Sequence, residues 1–405
     1  MAACESARLG ILETEMTNIP QGTEANDQSI LQRKILLSSN TSWNIVNFRS
    51  GLVKALADTG AEVLVAAPAD GSSQDLEGLN CRHISLPMDN KGANPINDFR
   101  LFLRYLAVMR AERPAAYLAW TIKPNVYGSL AAAVCGIPVV NNISGLGTAF
   151  LRDGWLTRIA KTLYRISLAR SSRVFFQNHD DLKLFLSAGL VRGSQAEVIP
   201  GSGIDLDAFG MSPMPERPPS SGPVFLLVGR MLWDKGVGEY VEAARRVRRR
   251  YPSARFQLLG FMGADNRTAV PEAVMSGWQE EGVIEYLGPA SDVRPYLEAA
   301  DCVVLPSYRE GTPRSLLEAA ATGRPIITTD TPGCRNVVDD GVNGYLCEVR
   351  SAEDLARAMQ DFADMDSAQR AEMGRQGRLK VAQQFDERIV VGSYIDVLAR
   401  SLGRP

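Results

Sequence analysis

The chain has 405 residues, 45% of them hydrophobic and 22% charged, and a formal net charge of −2. That length exceeds a single small core and favours two domains of an ordinary soluble enzyme, while the balanced charge argues against a dedicated nucleic-acid binder. Two histidines and six scattered cysteines without a CxxC pair argue against a zinc site and for reduced, buried thiols in a cytoplasmic protein.

Residues 1–33 carry Glu5, Glu13, Glu15, Glu24 and Asp27 and no long apolar run. They are expected to be a disordered extension, with Met16 as an alternative start, and neither a signal peptide nor a membrane span. From Lys34 the pattern becomes strand, loop, helix. "KILLSSN" (34–40) precedes a helical segment at 46–60, and "EVLVAAP" (62–68), "AAYLAW" (115–120), "IPVVNNIS" (137–144), "RVFFQN" (173–178) and "AEVIPGSGID" (196–205) continue the series. Short β-branched runs alternating with amphipathic helices predict parallel βαβ units over 34–210. Five prolines within 211–223 mark a linker. A second series follows over 224–384, with strands at 224–230, 255–261, 283–288, 301–307 and 324–330. Residues 385–405 read as a last helix, expected to pack back toward the first domain. The expected architecture is α/β: two Rossmann-like, doubly wound domains facing across a cleft, with ligands at the carboxyl ends of the strands.

The second series opens on "LLVGRMLWDKG" (226–236), where a strand ends at Gly229, Arg230 follows, and Lys235 comes five residues later. Two cations at a strand end, flanked by glycines that admit close approach, suit a diphosphate. No GxGxxG fingerprint opens either domain, so a nicotinamide enzyme is poorly supported. Further on, "SYREGTPRSLLEAAATGRP" (307–325) places Glu310 before a helix start and Glu318 just inside it. Gly311 permits close backbone approach, Thr312 reads as the N-cap, and Pro313 as the first helical residue. The N–H groups at 314–316 would then face outward and, with the helix dipole, form an anion site. Arg314, Ser315 and Glu318 share one helix face. A glutamate beyond the phosphates suits ribose hydroxyls, and Glu310 on their other side suits a sugar. The same residues would also fit the solvated face of an amphipathic helix.

Arg230 and Lys235, followed seventy-five residues later by E-x7-E at Glu310 and Glu318, resemble the donor site of family-4 retaining glycosyltransferases, which have the GT-B fold. The resemblance runs from about Lys34 to the C-terminus and includes "VIPGSGIDLDAF" (198–209) and "TDTPGCRNVVDDGVNGYL" (329–346). It implies that Arg230 and Lys235 neutralise the diphosphate of a UDP-sugar. Backbone groups of Thr312, Pro313, Arg314 and Ser315 would hold phosphate oxygens, Glu318 the ribose and Glu310 the donor sugar. It implies front-face attack assisted by the leaving phosphate, with no dedicated base. The Thr312-Pro313-Arg314 variant, "TIKPNVYGSLAA" (121–132) and "NNISGLGTAF" (141–150) are similar to a subgroup that builds surface polysaccharides on undecaprenyl-diphosphate-linked acceptors. Where many relatives carry a histidine near Asn142, this chain has none.

The Asp205-Leu206-Asp207 run spells a metal-binding DxD, but it lies in the interdomain segment, where turn capping is expected. No metal or other cofactor is expected. In the first domain Asn44, Arg49, Lys123 and Asn142 are candidates for acceptor or phosphate contacts, beside Trp43. Residues 150–173 carry six basic residues against one acid, with Trp155, Ile159, Leu163 and Ile166 on one stripe and Arg158, Lys161 and Arg165 on another. Such a helix suits an anionic membrane surface, and so a peripheral place at the inner face of the membrane. A core-facing helix with a solvated basic side fits the same pattern. Two further readings stay open on this fold: an enzyme like UDP-N-acetylglucosamine 2-epimerase, disfavoured by the shortage of histidines, and a non-catalytic nucleotide-sugar-binding subunit.

Overall fold

The computed structural model describes residues 30, 32–89, 94–145, 155–218, 220–263, 266 and 268–403, with the main chain alone at 155 and 156. The extension at 1–29 and the 150–154 part of the basic segment lie outside the described residues. Seven strands make the first sheet: β1 (Lys34–Ser38), β2 (Glu62–Ala67), β3 (Cys81–Ser85), β4 (Ala116–Trp120), β5 (Val139–Ile143), β6 (Arg173–Phe176) and β7 (Ala196–Val198). Six make the second: β8 (Val224–Val228), β9 (Arg255–Leu259), β10 (Glu285–Tyr286), β11 (Cys302–Leu305), β12 (Ile326–Thr329) and β13 (Gly344–Cys347). Their orders are β3-β2-β1-β4-β5-β6-β7 and β10-β9-β8-β11-β12-β13. Every pairing is parallel. In both sheets the order reverses beside the founding strand, between β1 and β4 and between β8 and β11, which opens a crevice at the carboxyl ends there.

The expected two-domain α/β architecture is therefore present. Two strands absent from the sequence reading, β3 and β13, are edge strands. No residue of β3 is fully buried, so its sequence lacks the continuous apolar run that marks β4, where all five residues are buried.

Six helices accompany the first sheet: α1 (Ser42–Phe48), α2 (Ser50–Asp58), α3 (Pro95–Glu112), α4 (Ser129–Cys135), α5 (Trp155–Leu168) and α6 (His179–Ser187). A π-helical turn over Pro124–Gly128 leads into α4. The second half adds α7 (Val237–Arg250), α8 (Glu272–Glu280), α9 (Arg294–Ala299), α10 (Arg314–Ala321), α11 (Ala352–Asp364), α12 (Ser367–Gln384) and α13 (Glu387–Leu402). Local chemistry fixes their ends. Asn94 accepts from the N–H groups of Ile96 and Asn97 ahead of Pro95, and Asp366 forms a reciprocal capping box with Gln369.

The expected helix at 46–60 is two helices, because Arg49 breaks the run at φ −138°, ψ 6° and serves as the end of α1 and the start of α2. At the far end of the chain α12 packs on α10, whereas α13 crosses back. Its Val390, Tyr394, Val397 and Leu398 join β1 and β4 in the first domain's core. The crossing is pinned beside the interdomain segment, where Ile204 donates its N–H to Phe385 O and Glu387 donates its N–H to Ile204 O, at 2.8 and 3.0 Å. Gly203 is required there, since a Cβ would lie 2.3 Å from Glu387 Cα.

Candidate functional site

On the second domain the carboxyl ends of β8 and β11 face the first. Gly229 follows β8, and Gly260 meets it so closely that a Cβ on Gly260 would lie 1.9 Å from Gly229 O. Arg230 is exposed and makes no side-chain hydrogen bond or ion pair among the described residues. Lys235 closes a short 3-10 turn, Trp233–Lys235, ended by Gly236 at φ +73°. A Cβ at Gly236 would lie 2.1 Å from Pro306 O, so this glycine lets the Lys235 turn dock on the loop after β11.

The docking brings Lys235 onto Glu310. Its ammonium donates to Glu310 Oε1 in an ion pair whose side chains are 21% and 14% exposed, and Ser307 Oγ donates to the same oxygen at 2.7 Å. Sequence reasoning placed these two residues on different parts of a donor, cation on phosphate and carboxylate on sugar. The structure brings them into direct contact. Among the described residues Arg230 is left as the unpaired cation of the set, and Lys235 is held by its glutamate.

The helix start differs from expectation. α10 begins at Arg314, Pro313 is its N-cap residue at φ −72°, ψ 113°, and no side chain caps it. Thr312 is not the cap because the first domain engages it. Its Oγ1 donates to Gln177 O at 3.0 Å and its N–H donates to Gln177 Oε1 at 3.1 Å. Leu316 N–H turns back to Pro313 O at 3.1 Å. The first-turn N–H groups free for an anion are therefore those of Arg314 and Ser315, not the wider set inferred from sequence. Gly311 also serves the domain contact: a Cβ there would lie 2.4 Å from Gln177 Oε1 and 2.6 Å from Ser144 O. Asn178 Nδ2 donates to Gly311 O at 3.1 Å, and Arg309 pairs with the buried Asp181.

Arg314 and Glu318 do share a face, with Nε to Oε1 at 3.0 Å. Burial raises the Glu318 pKa, and the Arg314 charge and hydrogen bond offset part of that rise. Arg314 also lies 5.5 Å above the Phe48 ring, so α10 meets α1 across the cleft.

The four first-domain candidates separate into three kinds. Asn142 is 1% exposed and fully engaged: its Nδ2 donates to the Tyr394 hydroxyl, its Oδ1 accepts from Ser144, and its carbonyl accepts from Asn125. It orders the carboxyl end of β5 through these bonds. Lys123 pairs with Asp98 at 2.8 Å and lines a separate cavity.

Asn44 and Arg49 both carry unpartnered buried atoms near the ends of β1 and β4, as do two residues that were not candidates, Ser39 and Thr121. Ser39 Oγ, Asn44 Oδ1, Arg49 Nε and Thr121 Oγ1 are buried atoms without a hydrogen-bond partner among the described residues. Ser39 follows β1 and Thr121 follows β4, so they flank the crevice where the strand order reverses. Arg49 is 5% exposed, stacks 5.1 Å over the Trp120 ring, and has no carboxylate partner among the described residues. Burial lowers its pKa to about 10, with the Tyr394 phenol opposing and Arg314 adding to the effect. Thr121 holds φ +66°, a strained conformation for a β-branched residue. Neither Ser39 nor Thr121 was singled out as a site residue in the sequence, because the backbone geometry that strands their hydroxyls is tertiary.

The DxD run caps a turn: Asp205 Oδ1 accepts from the N–H groups of Asp207 and Ala208, both at 2.9 Å. Among the described residues no group of three or more His, Cys, Asp or Glu side chains is placed to hold a metal ion.

Two family descriptions match this arrangement, "Glycosyl transferase 4-like domain" over residues 46–201 and "Glycosyl transferases group 1" over 222–364. The chain is a family-4-type glycosyltransferase of GT-B fold. Among curated relatives, N,N'-diacetylbacillosaminyl-diphospho-undecaprenol alpha-1,3-N-acetylgalactosaminyltransferase of Campylobacter jejuni is 27% identical over 376 residues, 89% of this chain and 97% of that one. UDP-Gal:alpha-D-GlcNAc-diphosphoundecaprenol alpha-1,3-galactosyltransferase of Escherichia coli is 24% identical, spanning 70% of this glycosyltransferase and 73% of its own length. The crystal structure of Anabaena HepE in complex with UDP and glucose superposes with a TM-score of 0.75 at 20% identity, covering 91% of this chain and all of that one.

Proposed function

We propose that this glycosyltransferase moves a hexose or N-acetylhexosamine from a UDP-sugar to an undecaprenyl-diphosphate-linked saccharide, with retention and without a metal, at the cytoplasmic face of the membrane. The observation that carries the reading is the meeting of Arg230, the Lys235–Glu310 pair and the α10 N-terminus at one strand edge, opposite a crevice of unpaired polar groups in the first domain. The two relatives whose names specify diphospho-undecaprenol acceptors support the acceptor class.

On this reading the diphosphate lies against Arg230 and the Arg314 and Ser315 N–H groups, and Glu318 accepts from the ribose hydroxyls. Breaking the bond from the anomeric carbon to the diphosphate oxygen moves negative charge onto that oxygen. Fixed donors aimed at the developing charge lower the barrier because they need not reorganise. Lys235, already oriented by Glu310, adds its charge at that moment. The acceptor hydroxyl attacks from the same face, and its proton passes to the leaving phosphate oxygen, so no side-chain base is consumed. The acceptor sugar lies in the β1–β4 crevice, against Ser39, Asn44, Arg49 and Thr121.

Membrane placement rests on α5. Its Ile159 and Ile166 are 49% and 57% exposed, while Tyr164 and Leu168 face the core, so much of the stripe singled out in the sequence points to solvent beside Arg158. The test is a panel of UDP- and GDP-sugars with membrane-extracted lipid acceptors, scored by product mass and anomeric configuration. Arg230→Ala is expected to lower kcat by about 100-fold or more. Wild-type turnover in that variant sinks the mechanism, and loss of turnover in EDTA that magnesium restores removes the metal-independent step.

A further inference from the structure

We infer that the Arg314 side chain is a positioning residue that holds Glu318 for the ribose, and that Phe48 of the first domain completes the donor site by carrying that guanidinium. The inference rests on the donor reading above and adds what aims its ribose carboxylate.

The Thr312-Pro313-Arg314 run sets a guanidinium at the first position of the donor helix. Its side chain is committed along that helix: Nε donates to Glu318 Oε1 at 3.0 Å, and the two side chains are 20% and 13% exposed. The bond fixes one carboxylate oxygen and leaves Oε2 to accept from a sugar hydroxyl. An arginine and a glutamate four residues apart on an exposed helix face hold each other only loosely.

Here the cation is gripped from the other domain as well. Its guanidinium carbon lies 5.5 Å from the centroid of the Phe48 ring, at the end of α1. Phe48 is itself braced, since Trp43 meets it edge-on at 5.1 Å and its carbonyl accepts from Arg49 Nη1 at 2.8 Å. The other end of α1 is anchored too. Thr41 Oγ1 accepts from the Asn44 N–H at 3.1 Å, and Asp70 Oδ2 from the Ser42 N–H at 2.7 Å. A planar guanidinium donates in its plane to a carboxylate while offering its face to an aromatic ring, which an ammonium cannot do.

The charges around the pair favour the same arrangement. Arg49, buried at the start of α2, acts on Arg314 as a like charge. Glu387, at the start of α13, feels the Arg314 charge along with those of Asp205, Asp386 and Lys54, but forms no ion pair with it. Glu318 is the carboxylate bonded to Arg314, and the guanidinium holds the Glu318 pKa below the value that burial alone would set. A ring of one domain thus steadies the ribose carboxylate of the other, although Phe48 offers the donor no polar group.

The test titrates UDP, 2′-deoxy-UDP and uridine calorimetrically into the full chain and follows UDP affinity against pH. Wild type is expected to prefer UDP to 2′-deoxy-UDP about 10-fold. Arg314→Leu should lose most of that preference and weaken UDP about 10-fold. It should also move the acid limb of UDP affinity to higher pH, because Glu318 then protonates at a higher pH. Arg314→Lys returns the charge and should bring the limb back in part without restoring the preference. Phe48→Leu keeps the apolar bulk and should weaken UDP about threefold, an effect that disappears in the Arg314→Leu background. An unmoved acid limb or a retained 2′-hydroxyl preference in Arg314→Leu overturns the positioning role, and additive losses in the double variant overturn the part given to Phe48. Loss of the preference for UDP over uridine, with the 2′-hydroxyl preference intact, assigns Arg314 to the diphosphate and also overturns it. A wild type that binds UDP and 2′-deoxy-UDP alike would instead count against Glu318 at the ribose, so the two failures are distinguishable.

Discussion

Burial raises the pKa of Glu318 above the usual carboxylate range, and the Arg314 guanidinium 3.0 Å away restores only part of the difference. A carboxylate accepts from ribose hydroxyls only when ionised, so donor affinity is expected to fall as pH drops through that raised value, at a higher pH than for an ordinary glutamate. The stability sign is opposite. With the folded pKa above the unfolded one, burial of this acid favours the fold at low pH, and that contribution is lost as pH rises through the folded pKa. Glu318→Gln, which replaces the ionised buried carboxylate by a neutral isostere, should therefore hold or raise the melting temperature at neutral pH, weaken UDP-sugar binding about 10-fold and flatten the acid limb of the KM profile. A KM profile that keeps its acid limb in this variant removes Glu318 from the ribose. Thr121 invites a similar separation. Its φ of +66° costs about 1–3 kcal/mol that a glycine does not bear. Thr121→Gly is expected to hold or raise the melting temperature while raising the KM for acceptor about 10-fold, because the unpaired Oγ1 is lost. A lower melting temperature with unchanged KM would make the residue structural.

At the level of elements, the central strands and the donor helix were legible because burial on both faces writes a continuous apolar run, and E-x7-E keeps a fixed helical spacing. The edges were not. β3 is a half-exposed edge strand, and its residues carry no such run. The break at Arg49 was missed as well, since 46–60 keeps a helical periodicity; at the break the guanidinium is buried over Trp120, and Gly51 just after it lies where a Cβ would meet the Glu387 carboxylate. The loop before α10 shows why residue types alone misassigned it. Gly311 and Thr312 suit a ligand-binding helix start, but what approaches them is Gln177 of the first domain. Gly311→Ala places a methyl against Gln177 Oε1 and Ser144 O, and about 1–3 kcal/mol of destabilisation is expected, with slower turnover. Gln177→Ala removes the movable half of that clash, so the double variant should be less destabilised than the sum of the singles. Additive losses, read from denaturant midpoints in a double-mutant cycle, would mean that the two residues do not meet in solution.

For the molecule as a whole, the chain passes between the domains twice, at the interdomain segment and again at Asp386, and the second passage makes one domain's core depend on the other's sequence. Val390, Tyr394, Val397 and Leu398 of α13 are buried against β1, β4 and β6 of the first domain, and Tyr394 also accepts the hydrogen bond from Asn142 near the carboxyl end of β5. The Tyr394 ring packs edge-on to Phe175 at 4.9 Å and lies 5.6 Å from Trp120, the ring that carries Arg49. At about 1.5–3 kcal/mol for each large buried side chain, these four contribute about 6–12 kcal/mol, comparable with the whole stability of a domain. Truncation after Phe385 should therefore unfold the first domain rather than merely loosen the cleft, even though every residue of its sheet remains. The second domain, whose core does not draw on α13, should still melt cooperatively and bind UDP. Calorimetry of the truncated chain with and without UDP separates the outcomes. One surviving transition that UDP shifts upward is expected, and two intact transitions would show that α13 is an accessory to the first domain's core rather than part of it.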